Sequence, residues 1–342
     1  MTPRTVEIGE TGVVTTCIGL GCASLFHLPR PDDRAAVLRT AFDEGVRHFD
    51  VAPMYGFGLA EPELGRFLRG RRDQATITTK FGIDPSALGR AAGRLQRPVR
   101  SALRHLPQVG SGLKSAGRGP GSGWMGRALY SPIPYTPDAA RRSLDRSLAM
   151  LGSDHVDVFL VHDPDQARLA DSSELADYLA SEVTRGRIRS WGSATDVHEP
   201  SGEVAALGAS SPVLQFRDDL LAPRSSVHPG GRHGVITFGI LDRTLPALAA
   251  YLGRADVDRD GWSQRFGFDL RAHGALPDLL LRQALFRNPR GPVLYSSTRT
   301  ERVRGAARLA GTHPEPAALQ GEAALLAQLG DAAVPRHGAE PT

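Results

Sequence analysis

Short apolar runs alternate with amphipathic stretches along most of the chain. Eight runs have the pattern of strands buried on both faces, at 17–23, 48–53, 76–82, 155–164, 188–196, 211–221, 234–241 and 291–298. Apolar residues at helical spacing predict helices over 32–46, 60–70, 136–152, 171–186, 276–288 and 299–310. Apolar strands separated by helices are typical of a parallel sheet that the helices cover. Eight such units favour an α/β fold closed into a (β/α)8 TIM barrel.

Several segments depart from this alternation. The N-terminal stretch TVEIGETGVV predicts a β-hairpin that could cover the N-terminal end of the barrel, and the stretch after the sixth strand has no helical period, so the sixth helix is predicted to be short or missing. A long insertion follows the third strand, at about 83–135, and its second half is rich in glycine and serine. Loops after barrel strands lie on the active-site face, so the insertion is either a mobile lid or a disordered segment. We therefore predict one barrel over residues 1–312 and a C-terminal helix and tail over 313–342.

The composition is that of an ordinary globular protein. Of the 342 residues, 41% are hydrophobic and 23% are charged. Cys17 and Cys22 are too few and too close together for a disulfide framework, which favours a reducing compartment. The N-terminus lacks the apolar core of a signal peptide, and no apolar run approaches the length of a membrane span. We therefore expect a soluble, cytoplasmic protein with no membrane partner.

The net charge of +4 is concentrated in the insertion. Between Asp84 and Tyr130 there are eight basic residues and one acidic residue, and Arg90 begins a series of arginines at helical spacing. Such a segment could attract an anionic ligand or a nucleic acid. A solvated arginine face is the simpler interpretation, and we predict no nucleic-acid partner.

Four polar residues stand at or just after the C-terminal ends of three neighbouring strands. They are Asp50, Tyr55, Lys80 and His162. Lys80 is one of only two lysines among 41 basic residues, and an ammonium differs from a guanidinium in being compact and in having a pKa that shifts readily. Each of the four residues has a simple structural explanation when taken alone. Together they form a proton-donating set, in which tyrosine is the acid, lysine lowers its pKa, aspartate holds the lysine and histidine orients a carbonyl oxygen.

Four segments, in a consistent order within about residues 4 to 312, resemble the aldo-keto reductase superfamily. They are GVRHFDVAPMYGFGLAEPELGRFL, TITTKFG, VDVFLVHDPD and VLYSSTRTERVRGAARLA. The resemblance implies a (β/α)8 barrel that binds NADP(H) across the C-terminal face of its strands. It also implies a catalytic Asp, Tyr, Lys, His tetrad, which Asp50, Tyr55, Lys80 and His162 match without substitution.

The resemblance further implies a set of cofactor-binding positions. They are Gly21, Cys22, Ala194, Thr195, Gln215, Phe238, Ser296, Ser297, Arg299 and Arg302. Ala194 and Thr195 stand where the family has the serine and asparagine that hold the carboxamide, and Phe238 stands where tyrosine usually stacks on the nicotinamide. Arg302 matches the arginine that grips the 2′-phosphate, so the resemblance implies NADP(H) rather than NAD(H).

The leading hypothesis is an NADP(H)-dependent reductase of a small aldehyde or ketone, with hydride from nicotinamide C4 and a proton from Tyr55. Run in reverse, the same site would oxidise an alcohol or a sugar. The alternative is a cofactor-binding interaction or regulatory protein with little turnover, similar to the potassium-channel β subunits of this superfamily. A Rossmann fold is disfavoured because GLGCAS (19–24) lacks the third glycine of the dinucleotide motif and no helix follows it directly. No metal site is predicted.

Overall fold

A computed structural model describes residues 2–91, 93, 128–169, 171–195, 202–218, 220–221 and 233–333. Its strands are β1 (Thr5–Glu7), β2 (Val14–Thr16), β3 (Ile18–Gly21), β4 (His48–Asp50), β5 (Thr76–Phe81), β6 (Ile83–Pro85), β7 (Tyr130–Pro132), β8 (Val156–His162), β9 (Ile188–Ala194), β10 (Val213–Arg217), β11 (Gly234–Phe238) and β12 (Val293–Tyr295). Its α-helices are α1 (Pro31–Asp43), α2 (Ala60–Leu68), α3 (Pro137–Leu151), α4 (Ser172–Thr184), α5 (Gly202–Ser210), α6 (Thr244–Leu252), α7 (Arg259–Phe266), α8 (Ala275–Arg287), α9 (Thr300–Leu309) and α10 (Pro316–Ala333). Short 3₁₀ helices span Cys22–His27, Tyr55–Phe57 and Arg72–Gln74.

Eight parallel strands close into a barrel in chain order, from β3 through β4, β5, β8, β9, β10 and β11 to β12, which pairs with β3. This confirms the predicted (β/α)8 fold. The strands are shorter than the apolar runs that predicted them. Val51 and Ala52, for example, follow the end of β4 and are still 0% exposed. The apolar pattern continues past the strand because the loop is buried too.

Side chains alternate between the barrel interior and the helical layer. On β8, Val158 and Leu160 pack inside the barrel, whereas Phe159 and Val161 pack against the helices. This period of two follows from the pleat of a strand. Gly19 is required inside the barrel because a Cβ there would lie 2.7 Å from His48 Cδ2.

The N-terminal hairpin covers one end of the barrel, as the sequence predicted. Strands β1 and β2 pair antiparallel, and Ile8 and Val13 join the apolar cluster that fills the barrel interior. Both side chains are almost fully buried, at 0% and 1% exposure. The opposite end of the barrel, where the strands have their C-termini, remains available for a site.

All six predicted helices are present, and the structure adds α5, α6 and α7, for which the sequence analysis assigned no helix. The stretch TLPALAAYL of α6 is apolar all round, so it has no amphipathic period. It buries one face, on which Leu248 and Leu252 pack with α8 and α10 in one cluster, whereas Ala249 and Ala250 are exposed. The C-terminal helix therefore packs against the barrel's helical layer. Most of the segment in which the sixth helix was predicted to be short or missing lies outside the described residues.

The described ends of the insertion form a two-stranded antiparallel ribbon of β6 and β7. Tyr130 on this ribbon stacks on Phe57, with ring centroids 5.6 Å apart. The Gly/Ser-rich half and the arginines at 94, 97 and 100 lie outside the described residues. The predicted lid and the division of the chain at residue 312 remain predictions.

In the described part of the chain, no helix combines the length and apolar character that crossing a membrane requires. The same residues contain no group of three or more His, Cys, Asp or Glu side chains that could hold a metal ion. Cys17 and Cys22 are buried free thiols.

Candidate active site

The four proton-transfer candidates meet at the C-terminal end of the barrel. Asp50 is the last residue of β4, Lys80 lies near the end of β5 and His162 is the last residue of β8, while Tyr55 begins the 3₁₀ helix after β4. All four line one cavity of about 240 Å³. Adjacent parallel strands end at the same rim, so barrel closure brings these distant residues together.

Lys80 and Asp50 form a buried ion pair at the base of the cavity. Lys80 Nζ donates to both carboxylate oxygens of Asp50, at 2.6 and 2.8 Å, and lies 3.3 Å from the carbonyl oxygen of Val51. The Lys80 side chain is 2% exposed and that of Asp50 is 4% exposed. Burial alone would lower the pKa of Lys80, but attraction to Asp50 and Tyr55 outweighs it and raises the pKa above its usual value. The ammonium is therefore charged.

Tyr55 stands between the ammonium and the imidazole. Lys80 Nζ lies 3.3 Å from the Tyr55 hydroxyl oxygen, and the Tyr55 ring meets the His162 ring edge-on at 6.3 Å between centroids. Burial raises the pKa of Tyr55 to about 12, while Lys80 acts in the opposite direction and lowers it. The lysine therefore acts in the predicted direction, but burial has the larger effect. The phenol remains protonated at neutral pH and can donate its proton.

His162 presents a neutral imidazole to the cavity. Burial, followed by the charges of Lys80 and Arg168, lowers the pKa of His162 to about 3. Its Nδ1 is buried and has no hydrogen-bond partner among the described residues. A neutral imidazole can donate one N–H to a carbonyl oxygen without competing with Tyr55 as the acid.

The end of β8 is fixed by Tyr135, at the end of the insertion. The Tyr135 hydroxyl lies 2.7 Å from the His162 carbonyl oxygen and 2.8 Å from that of Asp163. It is the hydrogen-bond donor that these two oxygens share. Arg168 donates to the carbonyl of Gly82 at 2.9 Å and places its guanidinium 4.5 Å from the centroid of the Tyr135 ring. The two ends of the insertion, at Gly82 and Tyr135, are thereby tied to the end of β8 and to the segment that follows it.

Replacing Tyr135 with phenylalanine should destabilise the protein by about 1–3 kcal/mol, because the buried carbonyl oxygens of His162 and Asp163 lose their shared donor. Chemical denaturation will measure the change. Tyr251→Phe is the matched control, since Tyr251 is only half-buried on α6. Equal stability losses in the two variants would contradict the assigned role of the Tyr135 hydroxyl.

Several predicted cofactor positions line the same cavity as the tetrad. They are Gly21, Ala194, Thr195, Gln215, Phe238 and Ser296. A Cβ at Gly21 would collide with the Ser296 hydroxyl, which donates to the Gly21 carbonyl oxygen at 3.1 Å. Glycine at position 21 therefore allows the Ser296 hydroxyl to lie against the end of β3.

Two of the predicted cofactor residues make contacts that the sequence analysis did not anticipate. The Cys22 thiol is 2% exposed in the core beside Leu25 and Phe26, and Ala23 lines the cavity instead. The 3₁₀ helix that begins at Cys22 is the reason, because it turns that side chain inward. Gln215 lines the cavity, but its Nε2 donates to Asp50 Oδ2 at 2.7 Å. Its amide therefore helps to hold the proton-transfer group.

The predicted phosphate contacts lie at the N-terminus of α9. Arg299 is the N-cap residue, Arg302 lies in the first turn, and both are exposed. The Ser297 hydroxyl accepts from the Arg299 N–H at 3.1 Å. A helix N-terminus with two guanidinium groups suits an anion such as a phosphate. Together with Phe238 and Gly21, which line the cavity, this donor set fits a phosphorylated nicotinamide dinucleotide.

The cavity also contains residues that the sequence analysis did not select. They are Ala23, Met54, Asp163, Arg217 and Leu294. Arg217 follows Gln215 by two positions on β10, so the period of two along a strand could have identified it. Its guanidinium lies 5.2 Å from the centroid of the Phe238 ring and contacts Asp242 at 2.5 Å.

The sequence model of the Aldo/keto reductase family matches residues 17–199. The matched region contains the whole tetrad and strands β3 to β9.

Two characterised relatives match a similar part of the chain. Pyridoxal 4-dehydrogenase from Microbacterium luteolum is 36% identical over 184 residues, which are 52% of this chain and 48% of the relative. D-threo-aldose 1-dehydrogenase from a Pseudomonas species is 33% identical over 159 residues, which are 45% of this chain and 42% of the relative. The aligned part of the chain thus spans about half the length of these relatives, or less.

Solved structures match nearly the whole chain. An aldo-keto reductase from Bacillus halodurans, in its holo form, has a TM-score of 0.68 at 16% identity and covers 98% of this chain and 99% of its own. An aldo-keto reductase from Klebsiella pneumoniae in complex with NADPH has a TM-score of 0.61 at 20% identity and covers 96% of both chains. At these identities the likeness concerns the fold.

Proposed function

This chain belongs to the aldo/keto reductase family, and from that premise we propose that it is an NADP(H)-dependent oxidoreductase that interconverts an aldehyde or ketone and the corresponding alcohol. One observation carries the proposal. The Lys80 ammonium, held by both oxygens of Asp50, lies 3.3 Å from the Tyr55 hydroxyl in a cavity that His162 also lines. That arrangement delivers one proton to a defined point and stabilises the negative charge that remains.

Tyr55 is the proposed proton donor. The phenol is protonated at neutral pH, and as its proton leaves, the phenolate forms next to an ammonium that is already in place. Preorganised charge of this kind needs no rearrangement during the reaction. In the direction of alcohol oxidation, the Tyr55 phenolate beside the Lys80 ammonium accepts the proton of the alcohol.

His162 is the proposed positioning group for the substrate oxygen. Its imidazole is neutral, so it donates a hydrogen bond and leaves the proton transfer to Tyr55. The hydrogen bonds from Tyr135 to the carbonyl oxygens of His162 and Asp163 hold the backbone that carries this ring.

The bound nicotinamide would supply or take up the hydride. Phe238 would stack on it, Thr195 and the backbone beside Ala194 would contact its carboxamide, and Gly21 would let it approach the barrel rim. Ser296 and Ser297 would belong to the phosphate-binding loop, Arg302 would bind the 2′-phosphate, and Arg299 would be a second contact to it. The residue assignments rest on the family resemblance of the sequence and on the donor set described above, and the choice of NADP(H) is supported by the NADPH complex of the Klebsiella pneumoniae aldo-keto reductase.

The substrate is proposed to be a small carbonyl compound or sugar. The names of the two relatives refer to pyridoxal and to D-threo-aldoses, and both call the protein a dehydrogenase. The cavity of about 240 Å³ beside the tetrad is compatible with a small substrate.

NADPH should bind more tightly than NADH, and Arg302→Ala should weaken NADPH binding by ~10- to 100-fold with little effect on NADH, because only NADPH offers the 2′-phosphate to the guanidinium. Titration followed by tryptophan fluorescence will measure both affinities. Arg308→Ala is the matched control, since Arg308 lies in the last turn of α9 and contacts Glu44 at 3.2 Å.

Two outcomes would count against the proposal. If neither nucleotide binds, the cofactor assignment is wrong. If NADPH binds but no aldehyde, ketone, sugar or alcohol is turned over, the alternative of a cofactor-binding regulatory protein is favoured, and Tyr55→Phe should then leave its behaviour unchanged.

A further inference from the structure

The loop that carries Tyr55 has an unusual backbone. The three residues after Tyr55 all have a positive φ, which is 60° at Gly56, 58° at Phe57 and 92° at Gly58. Glycine adopts this region readily, whereas a phenylalanine there is strained. Such strain persists only where the surrounding contacts enforce it, and it is often found at functional sites. The contacts of Phe57 therefore indicate what holds the loop in place.

Both described parts of the insertion contact Phe57. Tyr130 on β7 stacks on the Phe57 ring, with the centroids 5.6 Å apart and an angle of 13° between the planes. Gly93 approaches so closely that a Cβ there would lie 3.1 Å from the Cβ and from the carbonyl oxygen of Phe57. The preceding residue, Gly56, lies against the Phe26 ring, with which a Cβ would collide. The loop is therefore enclosed by contacts that leave Phe57 little freedom to change its backbone conformation.

The ribbon that carries Tyr130 is held together on both sides of the stack. The Ile133 N–H donates to the Gly82 carbonyl oxygen at 3.0 Å, and the Ser86 N–H donates to the Leu129 carbonyl oxygen at 2.9 Å. Pro85 of β6 is the strand partner of Tyr130. Because these bonds fix β7 against β6, the Tyr130 ring has a defined position relative to the end of β5.

This arrangement connects the two members of the proton-transfer pair by a second route. Ile83 of β6 is three residues beyond Lys80 in the chain. Ile83 packs in one apolar cluster with Met54, and both Tyr55 and Tyr130 pack against that cluster. The ribbon that continues from the Lys80 strand thus reaches the loop that carries the phenol.

We propose that Tyr130 is a positioning residue for the proton donor, acting through its stack on Phe57 to hold the Tyr55 hydroxyl in place. The inference rests on the proposed function. Neither Phe57 nor Tyr130 is among the described residues that line the cavity, so an effect of Tyr130 on the reaction passes through the loop. The Tyr55 oxygen lies 3.3 Å from Lys80 Nζ, and a small displacement of the loop would break this contact.

Tyr130→Ala should lower kcat by ~10- to 100-fold, because a displacement of about 1 Å in a catalytic group is enough to slow a reaction to this extent. Both KM values should change little, since the cavity lining is retained. Tyr130→Phe keeps the stacking ring and should restore kcat to nearly the wild-type value. Tyr251→Ala is the matched control, because Tyr251 is a half-buried tyrosine on α6. Steady-state kinetics with NADPH and a small aldehyde will measure all four proteins.

A double variant separates positioning from a general loss of structure. In a Tyr55→Phe background the proton donor is already absent, so adding Tyr130→Ala should change the residual kcat by less than ~2-fold. Single-turnover rates at high enzyme concentration will measure this residual activity. If Tyr130→Ala lowers kcat by the same factor with and without the Tyr55 hydroxyl, its effect does not pass through the proton donor and the inference is wrong.

Hydrogen exchange tests the contact without turnover. The Phe57 N–H donates to the Met54 carbonyl oxygen at 3.2 Å, and the Gly58 N–H donates to that of Tyr55 at 3.2 Å. Both amides should exchange faster in Tyr130→Ala and at the wild-type rate in Tyr130→Phe, because only the first variant loses the stack. Tyr130→Leu, which keeps an apolar side chain without a ring, should behave as Tyr130→Ala does and replaces it if that variant does not fold.

An unchanged kcat in Tyr130→Ala, or unchanged exchange in the loop, would overturn the inference while turnover by the wild-type protein upheld the proposed function. A wild-type protein that turns over no carbonyl compound would show that the proposed function is wrong. The inference would then be wrong with it, even where the exchange rates confirmed that Tyr130 holds the loop.

Discussion

Tyr55→Phe should lower kcat for carbonyl reduction by ~10²- to 10⁴-fold, because it removes the proton donor and leaves the rest of the cavity in place. The phenol is the acidic group that contacts the Lys80 ammonium, with the two atoms 3.3 Å apart. The neutral imidazole of His162, with a pKa lowered to about 3, has no spare proton to donate in its place. Single-turnover and steady-state rates with NADPH and a small aldehyde will measure the loss.

Cofactor titration of the same variant separates chemistry from binding. The affinity for NADPH should stay close to that of the wild-type protein, since the proposed phosphate contacts lie on α9 and at the end of β12. Tyr251→Phe supplies the matched control for loss of a tyrosine hydroxyl outside the cavity, and it should retain full activity. A Tyr55→Phe variant that keeps most of its kcat would show that another group donates the proton.

Lys80→Met should destabilise the protein by about 3–5 kcal/mol and also abolish activity, because it leaves the buried Asp50 carboxylate without its cation. Lys80 donates two hydrogen bonds to this carboxylate, and Gln215 Nε2 donates another at 2.7 Å. An amide cannot neutralise the charge. Denaturant unfolding at neutral pH will measure the change in the free energy of unfolding.

The double variant Lys80→Met with Asp50→Leu tests the reason for that loss. Replacing both members of a buried ion pair with apolar residues of similar shape is often close to neutral. The double variant should therefore recover most of the stability of the wild-type protein while remaining inactive. If it is as unstable as Lys80→Met alone, the loss comes from altered packing and not from an unpaired buried charge.

The two predictions together describe a site in which stability and catalysis depend on the same ion pair. In the folded state, the Lys80 ammonium neutralises the buried negative charge of Asp50. The same ammonium would stabilise the Tyr55 phenolate during proton transfer. Arginine is the usual cation in this chain, with 39 of the 41 basic residues. A planar guanidinium would not fit between Asp50 and Tyr55 as a compact point charge does.

The sequence by itself determined the barrel and the identity of the four proton-transfer candidates. A strand buried on both faces has a continuous run of apolar residues, and an amphipathic helix has apolar residues with a period of 3.6. Each element can therefore be recognised from its own stretch of sequence. Asp50, Lys80 and His162 interrupt apolar runs near their C-terminal ends, where a parallel barrel places its site. The hairpin that contains Ile8 and Val13 was recognised in the same local way.

The tertiary structure alone decided what cannot be encoded within a single element. Helix α6 shows no amphipathic period because its exposed positions are proline and alanine. Cys22 turns into the core with its 3₁₀ helix, and Gln215 reaches Asp50 across the barrel. Burial, which depends on all the neighbouring elements, raises the pKa of Tyr55 despite the nearby ammonium. Asp163 lies on the cavity wall with Tyr55 and Lys80 because closure of the barrel sets the distance between residues on different strands.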